Sequence, residues 1–300
     1  MTSAKTSLNR LNDIETSLCI RINKFFQRRP PSDPYISGDT FRSMANIVLE
    51  GSIADAQHLI VGNGDIIFVE THLLKAFEDR VLPNISVKFI LISHNSDAGV
   101  TLQYSNILKN KFLTKWFAQN AMINHEKIVA IPIGLENQWL HKNGLIKNFS
   151  SIKFSPPNFR IPRILESFSI HTNSAIRATA REALKKSGLA DQILTSSVEY
   201  RKLLGRYMFV ASPLGNGIDC HRTWEALYAG AIPIVCGESF YAQFEKFPGL
   251  VLSSWNDLQA INPISLQASY ISCLSKLSNA DYLWAKYWRN RLMIESRLCK

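Results

Sequence analysis

Between Tyr207 and Val235 the chain reads Y-M-F-V-A-S-P-L-G-N-G-I-D-C-H-R-T-W-E-A-L-Y-A-G-A-I-P-I-V, and its middle carries more polar chemistry than a core can use. Gly215 and Gly217 flank Asn216, and Asp219, His221, Arg222 and Glu225 follow. The pattern predicts a strand, a glycine-bearing loop, a short helix beginning at Asp219 or Cys220, and a second strand. Free N–H groups at such a helix start attract an anion, and glycine lets a phosphate approach closely. Arg222 on the first turn would add a bidentate charged contact. Glu225, three residues on, shares its face and is suited to accept hydrogen bonds from two ribose hydroxyls. The plain alternative makes Asp219 an N-cap and Arg222–Glu225 a surface ion pair. For His221, packing, ligand contact and catalysis all remain open.

The surrounding elements must position that block. Thr6 to Arg29 has apolar residues at helical spacing and stops at R-R-P-P, which reads as a packed helix or an interfacial membrane helix. Thr40 to Glu50 reads as a helix with Asp39 as its cap. Asp65–Val69, Val87–Ser93, Lys115–Gln119 and Ile128–Ile133 read as strands, with a helix over Thr71–Leu82. Residues 143–162, with Gly144, Pro156, Pro157 and Pro162, have the composition of a linker. Leu165–Ile170, Tyr207–Ala211 and Ile232–Val235 are further strands, and Ala175–Lys186 is a basic amphipathic helix beginning near Arg177. Arg177 fits either a phosphate contact or a solvated helix face. Alternating strands and helices predict an α/β protein with two Rossmann-like halves. The expected divisions are an N-terminal helical extension (1–34), a first Rossmann-like domain (35–142), a linker (143–162), a second Rossmann-like domain (163–264) and C-terminal helices (265–300).

The 300 residues are 46% hydrophobic, enough for real cores, and no run approaches a membrane span. The first ten residues lack the apolar core of a secretory signal, so a cytoplasmic location is expected, with peripheral membrane association through residues 6–29 as an addition. Five scattered cysteines with no C-x-x-C spacing argue against a disulfide framework and against a zinc site. A net charge of +10 points to anionic partners: nucleic acid, an anionic membrane, or a phosphorylated or acidic-sugar substrate. No nucleic-acid-binding module is recognisable, so none is expected to bind.

G-N-G-I-D-C-H-R-T-W-E-A-L followed by G-A-I-P-I-V resembles the C-terminal donor-binding motif of exostosin-like glycosyltransferases, which have the GT-B fold. S-G-D-T-F at 37–41, S-H-N-S-D at 93–97, I-P-I-G-L-E-N at 131–137 and H-T-N at 171–173 extend the resemblance over about residues 35 to 260. It implies two Rossmann-like domains facing a cleft, the second holding a nucleotide-sugar and the first a glycan acceptor. Arg222 would then neutralise the diphosphate, Glu225 would contact the ribose, and Gly215, Asn216 and Gly217 would line the phosphate loop. The resemblance also implies inversion by direct displacement, without a metal or other cofactor, in surface-glycan synthesis. Unlike membrane-anchored exostosins, this shorter chain is expected to carry no membrane anchor.

Direct displacement needs a base for the acceptor hydroxyl. H-N-S-D follows a predicted strand, so Asp97 is the first candidate, with a turn or helix cap as its plain alternative; His94 is the second and Glu136 a third, better suited to shaping the cleft. Asn95, Glu136, Asn137 and Asp39 fall on the acceptor side, although capping explains Asp39 as well. The competing readings are a non-catalytic basic-surface protein binding nucleic acid or glycan, and a pyruvyl or phospho transferase on the same scaffold.

Overall fold

The computed structural model describes residues 29–53, 59–150 and 155–299. The helix expected over Thr6–Arg29, and any membrane contact through it, lies outside the described residues apart from Arg29. In the first half, β1 (Ile47–Leu49), β2 (Asp65–Glu70), β3 (Phe89–His94), β4 (Leu113–Ala118) and β5 (Ile128–Ala130) form a parallel sheet in that spatial order. With it go the helices α1 (Gly38–Arg42), α2 (Leu74–Arg80), α3 (Ser105–Lys109) and α4 (Ile146–Ser150). All six residues of β3 are buried, which explains its unbroken apolar run: a parallel strand covered on both faces has no solvent side.

The second half holds β6 (Ile161–Glu166), β7 (Ala190–Gln192), β8 (Tyr207–Ala211), β9 (Ile232–Cys236) and β10 (Leu250–Leu252), all parallel, in the order β10-β9-β8-β6-β7. Its helices are α5 (Ser174–Ser187), α6 (Ser197–Leu204), α7 (His221–Tyr228), α8 (Glu238–Tyr241) and α9 (Pro263–Leu277). The chain starts at β6, steps one way to β7, then reverses to β8 on the other flank. Loops leaving β6 and β8 therefore diverge and open a crevice at this switch point, where open α/β sheets bind ligands.

The first sheet is wound in one direction only. Right-handed crossovers then put their helices on one face and leave the other needing separate cover. The last helix, α10 (Ala285–Cys299), supplies it by lying against β2, β3 and β4. Its Trp288 meets Phe41 edge-on at 5.6 Å and Phe117 at 6.3 Å. Asn63 Nδ2 donates to the Cys299 carbonyl at 2.7 Å, and Ser296 Oγ to the Gly64 carbonyl at 2.7 Å. The last helix thus completes the core of the first half, while α9 packs on β6 and β9 of the second. No helix among the described residues is long and apolar enough to cross a membrane.

Three local expectations shift. The helix predicted over Thr40–Glu50 is only α1, capped by Ser37, whose Oγ accepts from the Thr40 N–H at 3.2 Å. The apolar run after it becomes β1, because Asn46 ties into the sheet by accepting from the Ile66 N–H at 2.9 Å. The strand predicted from Leu165 instead begins at Ile161, and α4 lies within the stretch predicted as linker.

Candidate active site

The loop after β8 leads into α7, whose N-cap Cys220 provides no side-chain cap. Cys220, His221 and Arg222 line a cavity of about 480 Å³ at the switch point, so the uncapped N–H end of α7 faces it. Every residue expected on the donor side lines this cavity: Arg177, Gly215, Asn216, Gly217, Asp219, His221, Arg222 and Glu225.

Glu225 is 8% exposed, yet none of the described residues hydrogen bonds or ion-pairs with its carboxylate. Burial pushes its pKa above the ordinary glutamate value, against the opposing pull of His221 and Arg222. The surface ion pair with Arg222 that spacing allowed does not form. Arg222 instead places its guanidinium 5.5 Å over the Tyr200 ring, and Nη2 donates to the Ser167 carbonyl at 3.1 Å. Its Nε has no partner.

Arg177, 5% exposed, donates from Nε to the Leu214 carbonyl at 2.9 Å and from Nη1 to the Ser169 carbonyl at 2.8 Å. One turn on, Arg181 is neutralised by Glu166. No carboxylate stands within ion-pair distance of Arg177, Arg201 or Arg222 among the described residues. An unpaired buried charge is costly, and three guanidinium groups around one cavity call for an anion.

Asp219 has a different job from the one spacing suggested. It precedes the cap and takes no N–H from the second or third helical residue. Its carboxylate accepts from Cys220 N–H at 2.8 Å, Trp224 Nε1 at 2.8 Å and, from the opposite domain, Ile133 N–H at 2.8 Å. It staples the two halves together beneath the cavity, and burial pushes its pKa up to about 6. Gly217 likewise serves the domain contact. A Cβ there would sit 2.9 Å from Asn120 Nδ2, which itself donates to the Ser96 and Asp97 carbonyls at 3.3 Å. Asn216 Nδ2 donates across the cleft to Asp97 Oδ2 at 3.2 Å.

A second cavity, of about 320 Å³, adjoins the first on the N-terminal side and contains Asn95, Glu136 and Asn137. Asp97, Ile133 and His221 line both cavities, so the two meet at these residues. His221 Nδ1 lies 2.7 Å from the Gly134 carbonyl. In the neutral ring that contact puts the proton on Nδ1 and the lone pair on Nε2, which has no partner among the described residues. Asn95 sits at φ 61°, a left-handed backbone that asparagine tolerates, and its Oδ1 accepts from Asn137 Nδ2 at 3.0 Å.

His94 is not placed as a base. Its Nδ1 accepts from the Asn95 N–H at 2.7 Å, and Nε2 faces the Pro132 carbonyl at 3.3 Å. Both nitrogens are engaged, the ring stacks 5.5 Å from Phe41, and burial lowers its pKa to about 4, so it is neutral. Asp39 lies under the cavity rather than in it, paired with Arg29 at 2.6 Å. Its own N–H donates to Asn137 Oδ1 at 2.8 Å, so it braces a cavity residue. Glu136 Oε2 accepts from the Asn143 N–H at 2.7 Å.

Sequence reasoning missed Arg201 and Tyr200 on α6, and Asn120 after β4. The available signal for the first two was the cap Ser196, whose Oγ accepts from the Glu199 N–H at 3.3 Å, with a Tyr-Arg pair following. A larger cavity, of about 870 Å³, lies by Met122, Phe240 and Trp288 and contains none of the unpaired groups just described.

No family model matches the sequence, and no curated protein matches it. The structure is similar to that of a UDP-forming α,α-trehalose-phosphate synthase from Burkholderia xenovorans, with 10% identity, 86% of this chain and 78% of that one covered, and a TM-score of 0.46. The corresponding enzyme from Burkholderia vietnamiensis gives 11% identity, coverage of 86% and 79%, and a TM-score of 0.44. A pneumococcal O-GlcNAc transferase in complex with UDP and GlcNAc gives 11% identity, coverage of 79% and 54%, and a TM-score of 0.32.

Proposed function

We propose that this chain transfers a sugar from a nucleoside-diphosphate sugar to a glycan hydroxyl. The observation that carries the reading is the switch-point cavity itself. Among the described residues, it holds three arginines with no carboxylate at ion-pair distance and the carboxylate of Glu225 with no hydrogen-bond partner, and it opens onto a second polar cavity. A nucleoside diphosphate satisfies both needs at once. Its phosphates neutralise Arg177, Arg201 and Arg222 at the start of α7, and its ribose hydroxyls donate to Glu225. The exostosin-like motif from Gly215 to Val235 supports the same assignment.

The sugar then lies towards the junction of the cavities. Two groups with basic lone pairs line that junction. Asp97 already receives the Asn216 amide. His221 is held by Gly134, and its Nε2 has no partner among the described residues, the arrangement a general base needs. His221 therefore takes the acceptor hydroxyl proton while the oxygen attacks the anomeric carbon, and Asp97 positions the acceptor. The carbon–oxygen bond to the diphosphate breaks, and its electron pair leaves with the diphosphate, where the arginines and helix end stabilise the charge. That is the metal-independent solution the resemblance implies.

Attack opposite the leaving group inverts the anomeric centre. The test is proton NMR of the product formed from an α-linked nucleotide-sugar. A β-anomeric coupling supports the base assignment, and an α-product refutes it.

A further inference from the structure

The second cavity discriminates by charge. The charge of its cation, Arg29, is already paired: it lies 2.6 Å from Asp39, 2.7 Å from Glu50 and 3.6 Å from Glu70. Arg42 adds one charge against the same group through Glu50 at 2.7 Å. Asp39, Glu50 and Glu70 therefore outnumber the two arginines. Beyond them the cavity wall carries Asp97 and Glu136, for which no cation lies within ion-pair distance among the described residues. His94 is neutral and adds nothing positive.

Four polar atoms on this wall are buried and have no partner among the described residues: Gln119 Oε1, Asn95 Nδ2, Trp139 Nε1 and Arg29 Nε. Gln119 is only 1% exposed. One of the four accepts and three donate. A hydroxyl does both, so sugar hydroxyls can satisfy the set. A phosphate or carboxylate only accepts, leaves Gln119 Oε1 unmet, and faces the surplus carboxylates. Trp139 adds an indole surface for the apolar face of a pyranose ring.

We infer that this cavity takes an acceptor pyranose bearing no negative charge, either neutral or amino-substituted, to the exclusion of uronates and sugar phosphates. The inference rests on the transferase reading and deepens it.

The experiment titrates methyl glucoside, methyl glucosaminide, methyl glucuronide and glucose 6-phosphate against the full chain by saturation-transfer NMR and tryptophan fluorescence. UDP and GDP affinities are measured alongside. The first two glycosides are expected to bind at least about tenfold more tightly than the two anionic ones, about 1.4 kcal/mol. Glu136→Gln should narrow that gap while leaving diphosphate affinity unchanged, a readout that a merely structural role would not give. Preference for glucuronide or glucose 6-phosphate, or binding of none of the four, overturns the inference. A chain that binds neither diphosphate takes the transferase reading down with it. One that binds a diphosphate and prefers the anionic sugars overturns the acceptor inference alone.

Discussion

Replacing Glu225 with glutamine should move stability and binding in opposite directions. In the free protein Glu225 is only 8% exposed, its carboxylate has no hydrogen-bond partner among the described residues, and burial raises its pKa above the ordinary 4.5. A carboxyl whose pKa is raised on folding favours the native state below its unfolded value and loses that contribution as pH rises through the folded one. At neutral pH it is therefore a net cost, which the neutral amide relieves. An unsatisfied buried polar group costs about 1–3 kcal/mol, and the partial compensation by Arg222 places Glu225 near the lower bound. Glu225→Gln should raise the melting temperature of the ligand-free protein by about 2 °C, and by more at pH 8 than at pH 5. The same change removes charge-assisted bonds to ribose, each about 1.5–3 kcal/mol, and should weaken diphosphate binding by about tenfold or more. Scanning fluorimetry with and without diphosphate reads both effects. A ligand-free variant less stable than wild type would show that the carboxylate is satisfied in the native protein. An undiminished ligand-induced shift would remove Glu225 from the donor site.

His221→Ala should lower kcat by about a hundredfold or more while nucleoside-diphosphate affinity changes little, as measured by transfer assay and calorimetry. Comparable losses in both would make His221 a binding residue. Asp219→Asn should alter the pH dependence of stability. Because the Asp219 pKa rises from 3.8 to about 6 on folding, its contribution falls as pH climbs from about 4 to about 6, by at most about 3 kcal/mol. Melting temperatures of wild type and variant across that window check this, and a constant difference would mean the N–H contacts keep the group ionised throughout. Gly38→Ala should cost about 1–3 kcal/mol, because its Cβ would stand 1.6 Å from Asn95 Oδ1 and displace the Asn95–Asn137 bond. Calorimetry should show diphosphate binding retained in that variant.

Much of this arrangement is legible in the residues because local chemistry dictates it. The apolar runs of β2, β3 and β8 read as buried parallel strands, since both faces are covered. The block from Gly215 to Glu225 reads as a site because its polar density exceeds what a core can use, although the structure gives Asp219 and Gly217 to the contact between the halves. What local chemistry does not contain is the partner across the cleft. Asp219 looks like a cap until Ile133 is placed against it, and His94 looks like a base until Asn95 and Pro132 occupy its nitrogens. Arg201 sits on a short helix whose amphipathic pattern explains it as surface. Only the path of α6 along the crevice shows otherwise. The singly wound first sheet is equally invisible, because strand order and the return of α10 are set by packing between distant segments.

The most direct test of the central claim is a calorimetric titration of the full chain with UDP, GDP, CDP and ADP, beside Arg222→Ala and Glu225→Gln. The account predicts that one diphosphate binds clearly more tightly than the rest and that each variant loses about tenfold or more in affinity. Binding of no diphosphate, or binding indifferent to both substitutions, would contradict it.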